Sequence, residues 1–131
     1  MIGRYNPFNI RYVSGNHWLM SDGQTRGFVN FKSLDYGVRA ACILVMRSYR
    51  RLGVLTISEI IHRFAPSSEN DTDKYVDFVC FRLDCFPFDI PSRNDFPLLL
   101  ESMSLYEGNP VPKDFISKVI DKFSISPYKC K

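Results

Sequence analysis

Residues 4–18 read RYNPFNIRYVSGNHW and hold Asn6, Asn9, Arg11, Asn16 and Trp18 beside Pro7 and two tyrosines, ahead of the first helical pattern. Amides and a guanidinium supply hydrogen-bond donors in quantity, and Trp18 supplies a flat apolar face. The stretch is too polar for a buried strand and too aromatic for a disordered tail. It is either an ordered loop packed over a core or one wall of a groove for a polar, flat ligand. A second cluster with chemical potential is PSSEND, residues 66–71. Glu69 lies there between two helical patterns with no capping partner in sight. Apolar neighbours such as Phe64 and Pro66 would raise its pKa into the range of a general acid. The plainer reading is a solvated loop glutamate. Asp71 and Glu59 each have a structural role to fill, as a helix cap and as half of a capping box.

Other chemistries find little support. No GxSxG elbow and no glycine-rich phosphate loop occurs, and His17 and His62 stand alone. Glu69, Asp71 and Asp73 lack the glycine and closing glutamate of an EF-hand loop. Cys42, Cys80, Cys85 and Cys130 form no CxxC pair, so neither a metal site nor a cofactor is expected. Cys42 falls in an apolar helical run and reads as a small buried hydrophobe. Cys80 and Cys85 are read on one helix with diverging side chains. A bridge from Cys130 to either stays open, and free thiols are the expectation.

These residues need a scaffold to position them. GFVNF, residues 27–31, together with the preceding HWLMSDGQTRG predicts a short β-hairpin turning at Ser21-Asp22-Gly23. A helix then starts at Ser33 or Asp35, with Val38, Ala41, Cys42, Leu44, Val45 and Tyr49 at helical spacing and Gly53 as its stop. Thr56-Ile57-Ser58-Glu59 opens a shorter helix that Pro66 ends. Asp71 or Thr72 caps the next, with Tyr75, Val76, Phe78, Val79 and Leu83 facing inward. After the proline-broken FPFDIPSRNDFP, helices are expected at about 95–106 and 112–123. The fold class is mainly α (α+β): a single small helical domain over 1–131 with one short hairpin.

The chain has 131 residues, 45% hydrophobic and 15% aromatic, enough for a core without disulfides or metal. A net charge of +3, with Arg47, Arg50 and Arg51 the densest basic cluster, is too thin a stripe for a nucleic-acid partner. The longest apolar run, Ala40 to Met46, is far short of the ~20 residues of a membrane span. Met1-Ile2-Gly3-Arg4 leads into polar sequence with no apolar signal region. This predicts synthesis in the cytoplasm without a signal peptide, and delivery by another route if the site of action is the periplasm, the cell wall or a virion.

Three segments in order carry a family resemblance. NPFNIR resembles the NPxNIR opening of small phage-associated domains found in virion structural proteins and cell-wall hydrolases. GFVNFKSLDYGVRAA is similar to their phenylalanine-rich strand followed by a glycine and an Arg-Ala pair. TISEIIHRFAPSSENDTDKYVDFV resembles their Thr-Ile, Ala-Pro and Glu-Asn-x-Thr stretch with its tyrosine. The resemblance covers about residues 3–86, a motif-bearing core, and leaves 87–131 as an unmatched C-terminal helical extension. It implies a lysozyme-like fold acting on bacterial peptidoglycan, a type also met among interbacterial toxins. It places Asn6, Asn9, Arg11, Arg39, Glu69, Asn70 and Tyr75 on motif positions. The departure is at the start: lysozyme-like enzymes carry an acid glutamate on a helix well ahead of the asparagines, whereas the five residues before Asn6 include no acid.

The expectation is therefore a peptidoglycan glycosidase. Glu69 would protonate the leaving oxygen, and Asp71 or Asp22 would serve as second carboxylate. Asn6, Asn9 and Arg11 would bind N-acetyl and hydroxyl groups, and Trp18 and Tyr75 would stack on sugar faces. The expected partners are peptidoglycan glycan strands, with a neutralising immunity protein or virion components beside them. The alternatives are a wall-gripping or virion structural module that does not cut, and an amidase or peptidase on the stem peptide.

Overall fold

In the computed structural model, which describes residues 1–68 and 70–126, Arg26 and Gly27 both take positive φ, 52° and 85°. That is the backbone a two-residue hairpin turn requires. They join β1 (Ser21–Thr25) to β2 (Phe28–Phe31) as an antiparallel hairpin. The turn thus falls beyond the expected Ser21-Asp22-Gly23. Those three residues lie in β1, where the register slips between Ser21 and Gln24 and Gly23 adopts φ 73°. The Asp-Gly pair bends the strand as a bulge and leaves the reversal to Arg26-Gly27. The N-terminal segment covers the other edge of β2. Phe31 N–H donates to the Arg4 carbonyl at 2.8 Å, and Val29 N–H donates to the Ile10 carbonyl at 3.0 Å.

The rest of the described chain is largely helical, so the protein is a small, mainly α domain with a short hairpin. Helix α1 (Leu34–Ile43) continues through a π-helical stretch, Leu44–Ser48, into α2 (Tyr49–Arg51), and Gly53 ends the rod with φ 78°. Helix α3 (Ile57–Phe64) begins at the Thr56–Glu59 capping box and stops before Pro66. Asp71 is the N-cap of α4 (Thr72–Leu83), and α5 (Phe96–Tyr106) and α6 (Lys113–Lys122) follow. Helix α4 packs on α3 and α5, α5 on α6, and α6 returns to α1. Gly37 lets α1 approach the N-terminal loop, because a Cβ there would stand 1.8 Å from the Tyr5 carbonyl oxygen.

One apolar core joins all of these elements. Phe8 from the N-terminal loop, Phe31 from β2, Val38 and Met46 from the first rod, and Ile60 and Ile61 from α3 meet Leu99, Leu100 and Met103 of α5 and Ile116 of α6, all fully buried. The C-terminal helices therefore complete the same core as the motif-bearing segments. Charged ties fix their order. Arg82 of α4 pairs with Glu101 of α5 and donates to Ser102 Oγ at 2.9 Å. Glu101 also accepts the Lys113 N–H at 2.8 Å, capping the start of α6, where Pro112 has no side chain able to do so. No helix among the described residues is long and apolar enough to cross a membrane.

Cys80 and Cys85 depart from expectation. The helix ends at Leu83, and Asp84 takes the left-handed conformation, so Cys85 turns back toward Cys80 instead of continuing along α4. Cys42, Cys80 and Cys85 are free thiols, and Cys130, with the bridge left open from it, lies outside the described residues.

The capping box gives the fold a pH signature. The Glu59 carboxylate accepts the Thr56 N–H at 3.0 Å, the Leu55 N–H at 3.2 Å and the Thr56 hydroxyl at 3.1 Å. These bonds favour its charged form and lower its pKa, the Thr56 backbone contributing most. A carboxylate depressed in the folded state adds stability above its unfolded pKa and loses it as pH falls through the folded value. Urea titrations should therefore show Glu59→Gln less stable than the parent at neutral pH. The gap should close on acidification below the carboxylate range, and a pH-independent gap would count against this role.

Candidate functional site

Asn6 is fully buried and spends its whole side chain on backbone. Its Nδ2 donates to the Ile10 and Val29 carbonyls, both at 2.9 Å, and its Oδ1 accepts the Ile10 N–H at 2.9 Å. It is the clamp that closes the loop 6–10 onto β2 and offers nothing to a ligand. The loop it closes then projects Asn9, whose φ of 53° lies in the left-handed region that asparagine tolerates. Asn9 Nδ2 donates to Glu107 Oε1 at 2.8 Å, and Asn109 Nδ2 donates to the Pro7 carbonyl at 3.1 Å. The N-terminal loop is thereby docked on the C-terminal end of α5.

Two adjoining hollows share Asn9, Arg11 and Phe64 and together form one groove. The first, about 290 Å³, is lined also by Asn16, Trp18, Leu44, Tyr49, Arg63 and Pro66. The second, about 160 Å³, adds Phe8, Phe28, Ala65, Asn70 and Glu107. The loop faces Arg63, Phe64, Ala65, Pro66 and Asn70 across these hollows. Its floor is aromatic and its rim polar, the composition of a small-ligand site. Arg11 lies over the Phe28 ring at 4.8 Å, holding a cation at the mouth. The π-helical stretch sets Leu44 at one side, and Tyr49, directly after it, also lines the hollow.

Among the described lining residues Glu107 is the carboxylate of this groove, and the sequence reading missed it. It follows the last residue of α5. A negative charge there faces the negative end of the helix dipole, an arrangement that costs about 0.3–1 kcal/mol. Tyr75 lies beneath, fully buried and stacked on Tyr106 with ring centroids 4.1 Å apart. Its hydroxyl donates to the Met103 carbonyl at 3.3 Å. Burial raises the Tyr75 pKa, and the neighbouring Glu107 charge raises it further, so the phenol stays protonated. Asn9 thus holds the Glu107 carboxylate, with the Tyr75 phenol buried close by.

The remaining expected residues distribute unevenly. Asn70 lines the groove and reaches back to the Pro66 carbonyl at 3.4 Å. Trp18 is half-buried, with its indole N–H enclosed and without a protein partner. Tyr75 cannot stack on a sugar, because no part of it is exposed. Arg39 sits over the Phe123 ring at 5.5 Å and lines a separate shallow surface beyond Trp18. Asp71 does not line the groove. It accepts the Lys74 N–H at 3.3 Å as the α4 cap and pairs with the Lys74 ammonium at 3.7 Å. Asp22 is tied to Arg4 at 2.7 Å on the hairpin. Local partners hold both carboxylates, and neither is among the lining residues of the two hollows. Glu69 lies outside the described residues. Among the described residues, no group of His, Cys, Asp or Glu could hold a metal ion.

Replacing Asn6 with Ala removes three buried bonds and leaves the Ile10 N–H unpaired. Urea denaturation should show a loss of roughly 2–4 kcal/mol. A loss below about 1 kcal/mol would mean that the loop is held by other contacts.

No family model matches the chain. It is 32% identical over 123 residues to protein P5 of Pseudoalteromonas phage PM2, an alignment covering 86% of this chain and 74% of that protein. At that identity and coverage the chain belongs to the family of the phage PM2 protein P5.

Proposed function

We propose that the groove binds bacterial cell-wall glycan and cleaves it, with Glu107 as its charged carboxylate and general base. One observation carries this reading: a carboxylate held by Asn9 in a hollow that also presents Arg11 and Asn70. Glu107 would take a proton from the water that attacks C1 as the sugar C1–O bond breaks, and the departing bridging oxygen would take its proton from a second acid, Glu69 in the sequence reading. Arg11 and Asn70 would bind hydroxyl and N-acetyl groups, and Phe64 and Trp18 would supply the apolar contact for sugar faces. Membership in a phage protein family supports an encounter with the host wall, either from within a virion or as a released effector. Glu107 takes the base role because Asn9 holds it in the groove, and Glu69 stays the expected acid.

A second reading is a wall-binding or virion module that does not cut. It is favoured by the groove's having Glu107 as its single carboxylate among the described lining residues.

Purified peptidoglycan incubated with the protein and analysed by mass spectrometry separates the two. Cleavage should release fragments with new reducing or anhydro ends. Glu107→Gln keeps an acceptor for Asn9 but no base, and should slow release by roughly 10²–10⁴-fold. Full activity in Glu107→Gln would overturn its role, and full activity in Glu69→Gln would remove Glu69 as the acid. Co-sedimentation with sacculi and no soluble product from the parent protein would leave the binding reading.

A further inference from the structure

Helix α4 closes in a Schellman turn. Asp84, at φ 52°, donates its N–H to the Phe81 carbonyl at 3.4 Å, and Cys85 donates its N–H to the Cys80 carbonyl at 3.1 Å. This motif brings together the side chains of the two residues joined by its outer backbone bond, here positions 80 and 85, usually as an apolar contact. Here both positions are cysteine, so the turn sets the two thiols beside each other. Cys80 is 8% exposed and Cys85 is half-buried, so a reagent reaches the pair through Cys85. Cys42, by contrast, is fully buried.

The segment that follows is unusual for its exposure. Phe86 and Phe88 are 74% and 83% exposed. Backbone bonds link the segment to the start of α3: Ser58 N–H to the Pro87 carbonyl at 2.9 Å and Ile57 N–H to the Asp89 carbonyl at 3.0 Å. The Cys80–Cys85 contact is its anchor on the α4 side.

We propose that Cys80 and Cys85 are a redox-active pair that closes to an intramolecular disulfide when the chain meets a disulfide oxidant, clamping the aromatic segment to the end of α4. With glutathione disulfide as oxidant, the Cys85 thiolate attacks one glutathione sulfur and releases a glutathione thiolate. Cys80, giving up its proton, then attacks the Cys85 sulfur and releases the second glutathione. Two protein thiols are oxidised and one glutathione disulfide is reduced to two thiols. Burial pushes the Cys80 thiol up to about 12, helped by Cys85 and by the carboxylates of Asp77 and Asp89. Burial also raises Cys85, and Asp89, Asp95 and Asp84 act in the same direction. The pair is therefore slow to react by itself at neutral pH and needs an oxidant and time.

The test uses the full chain, incubated with glutathione disulfide at mildly alkaline pH, blocked with iodoacetamide under denaturing conditions and digested with trypsin without reduction. Cleavage after Lys74, Arg82 and Arg93 separates the two cysteines onto peptides 75–82 and 83–93. The expected product is those two peptides joined, lighter by the two thiol hydrogens, and parted by dithiothreitol. Recovery of both peptides alkylated, a stable glutathione adduct on Cys85, or a bond from either to Cys42 or Cys130 would overturn the pairing. The clamp is read separately by chymotrypsin cleavage after Phe88 in the folded protein. It should slow by roughly threefold or more on oxidation, since cutting follows the open population, and should not slow in Cys85→Ser given the same treatment. An unchanged rate in the oxidised parent would overturn the clamp while leaving the disulfide.

Discussion

A buried asparagine organises the polar end of this molecule. Residues 4–12 run along the free edge of β2, and their backbone groups can enter the interior only if each finds a partner. Asn6 supplies those partners where the strand pairing fails. One amide bonds the Ile10 N–H and carbonyl on its own loop and the Val29 carbonyl across on β2. A hydroxyl or carboxylate could not match that set, because the site needs two donors and an acceptor in one plane. The close approach of α1 through Gly37 presses on the same loop at Tyr5. Together these contacts turn a polar, aromatic stretch into a rigid wall.

The groove is a consequence of that wall. Once the loop is closed, Asn9 meets the end of α5 and Asn109 meets Pro7, so residues about a hundred positions apart share one surface. Glu107 is then carried at a helix terminus that disfavours it electrostatically, beside the buried Tyr75. Glu59 and Asp71, by contrast, sit at helix starts, where the dipole favours them. An acid at an unfavourable helix end, inside a hollow, is where the proposed function places its chemistry. The π-helical stretch after α1 belongs to the same pattern, since it falls where the rod borders the groove.

Helix ends do much of the positioning elsewhere. Glu101 caps α6 from α5 while pairing with Arg82 of α4, so one side chain sets the spacing of three helices. The left-handed Asp84 both ends α4 and aims the chain back across it, which brings Cys85 onto Cys80 and sends Phe86 and Phe88 into solvent.

Features governed by neighbours a few residues apart were legible in the sequence: the Thr56–Glu59 box, the Asp71 cap, the α5 and α6 spans and the stop at Gly53 all depend on local hydrogen bonds and helical spacing. The hairpin was legible, but its turn was not. Asp-Gly and Arg-Gly can both reverse a chain, and the pairing of β2 with the N-terminal segment decided between them. The asparagines drew notice by type, yet which one is clamp and which one faces the groove depends on burial. Asn6 is sealed by β2 and Asn9 is not. Glu107 and the thiol pair were hidden for the same reason. One acquires its role from a loop at the far end of the chain, and the other from a single left-handed residue that reverses the expected direction of a helix. Sequence determined what each element is; tertiary contacts alone decided which chemical groups those elements bring together, because burial and long-range hydrogen bonds have no local signature.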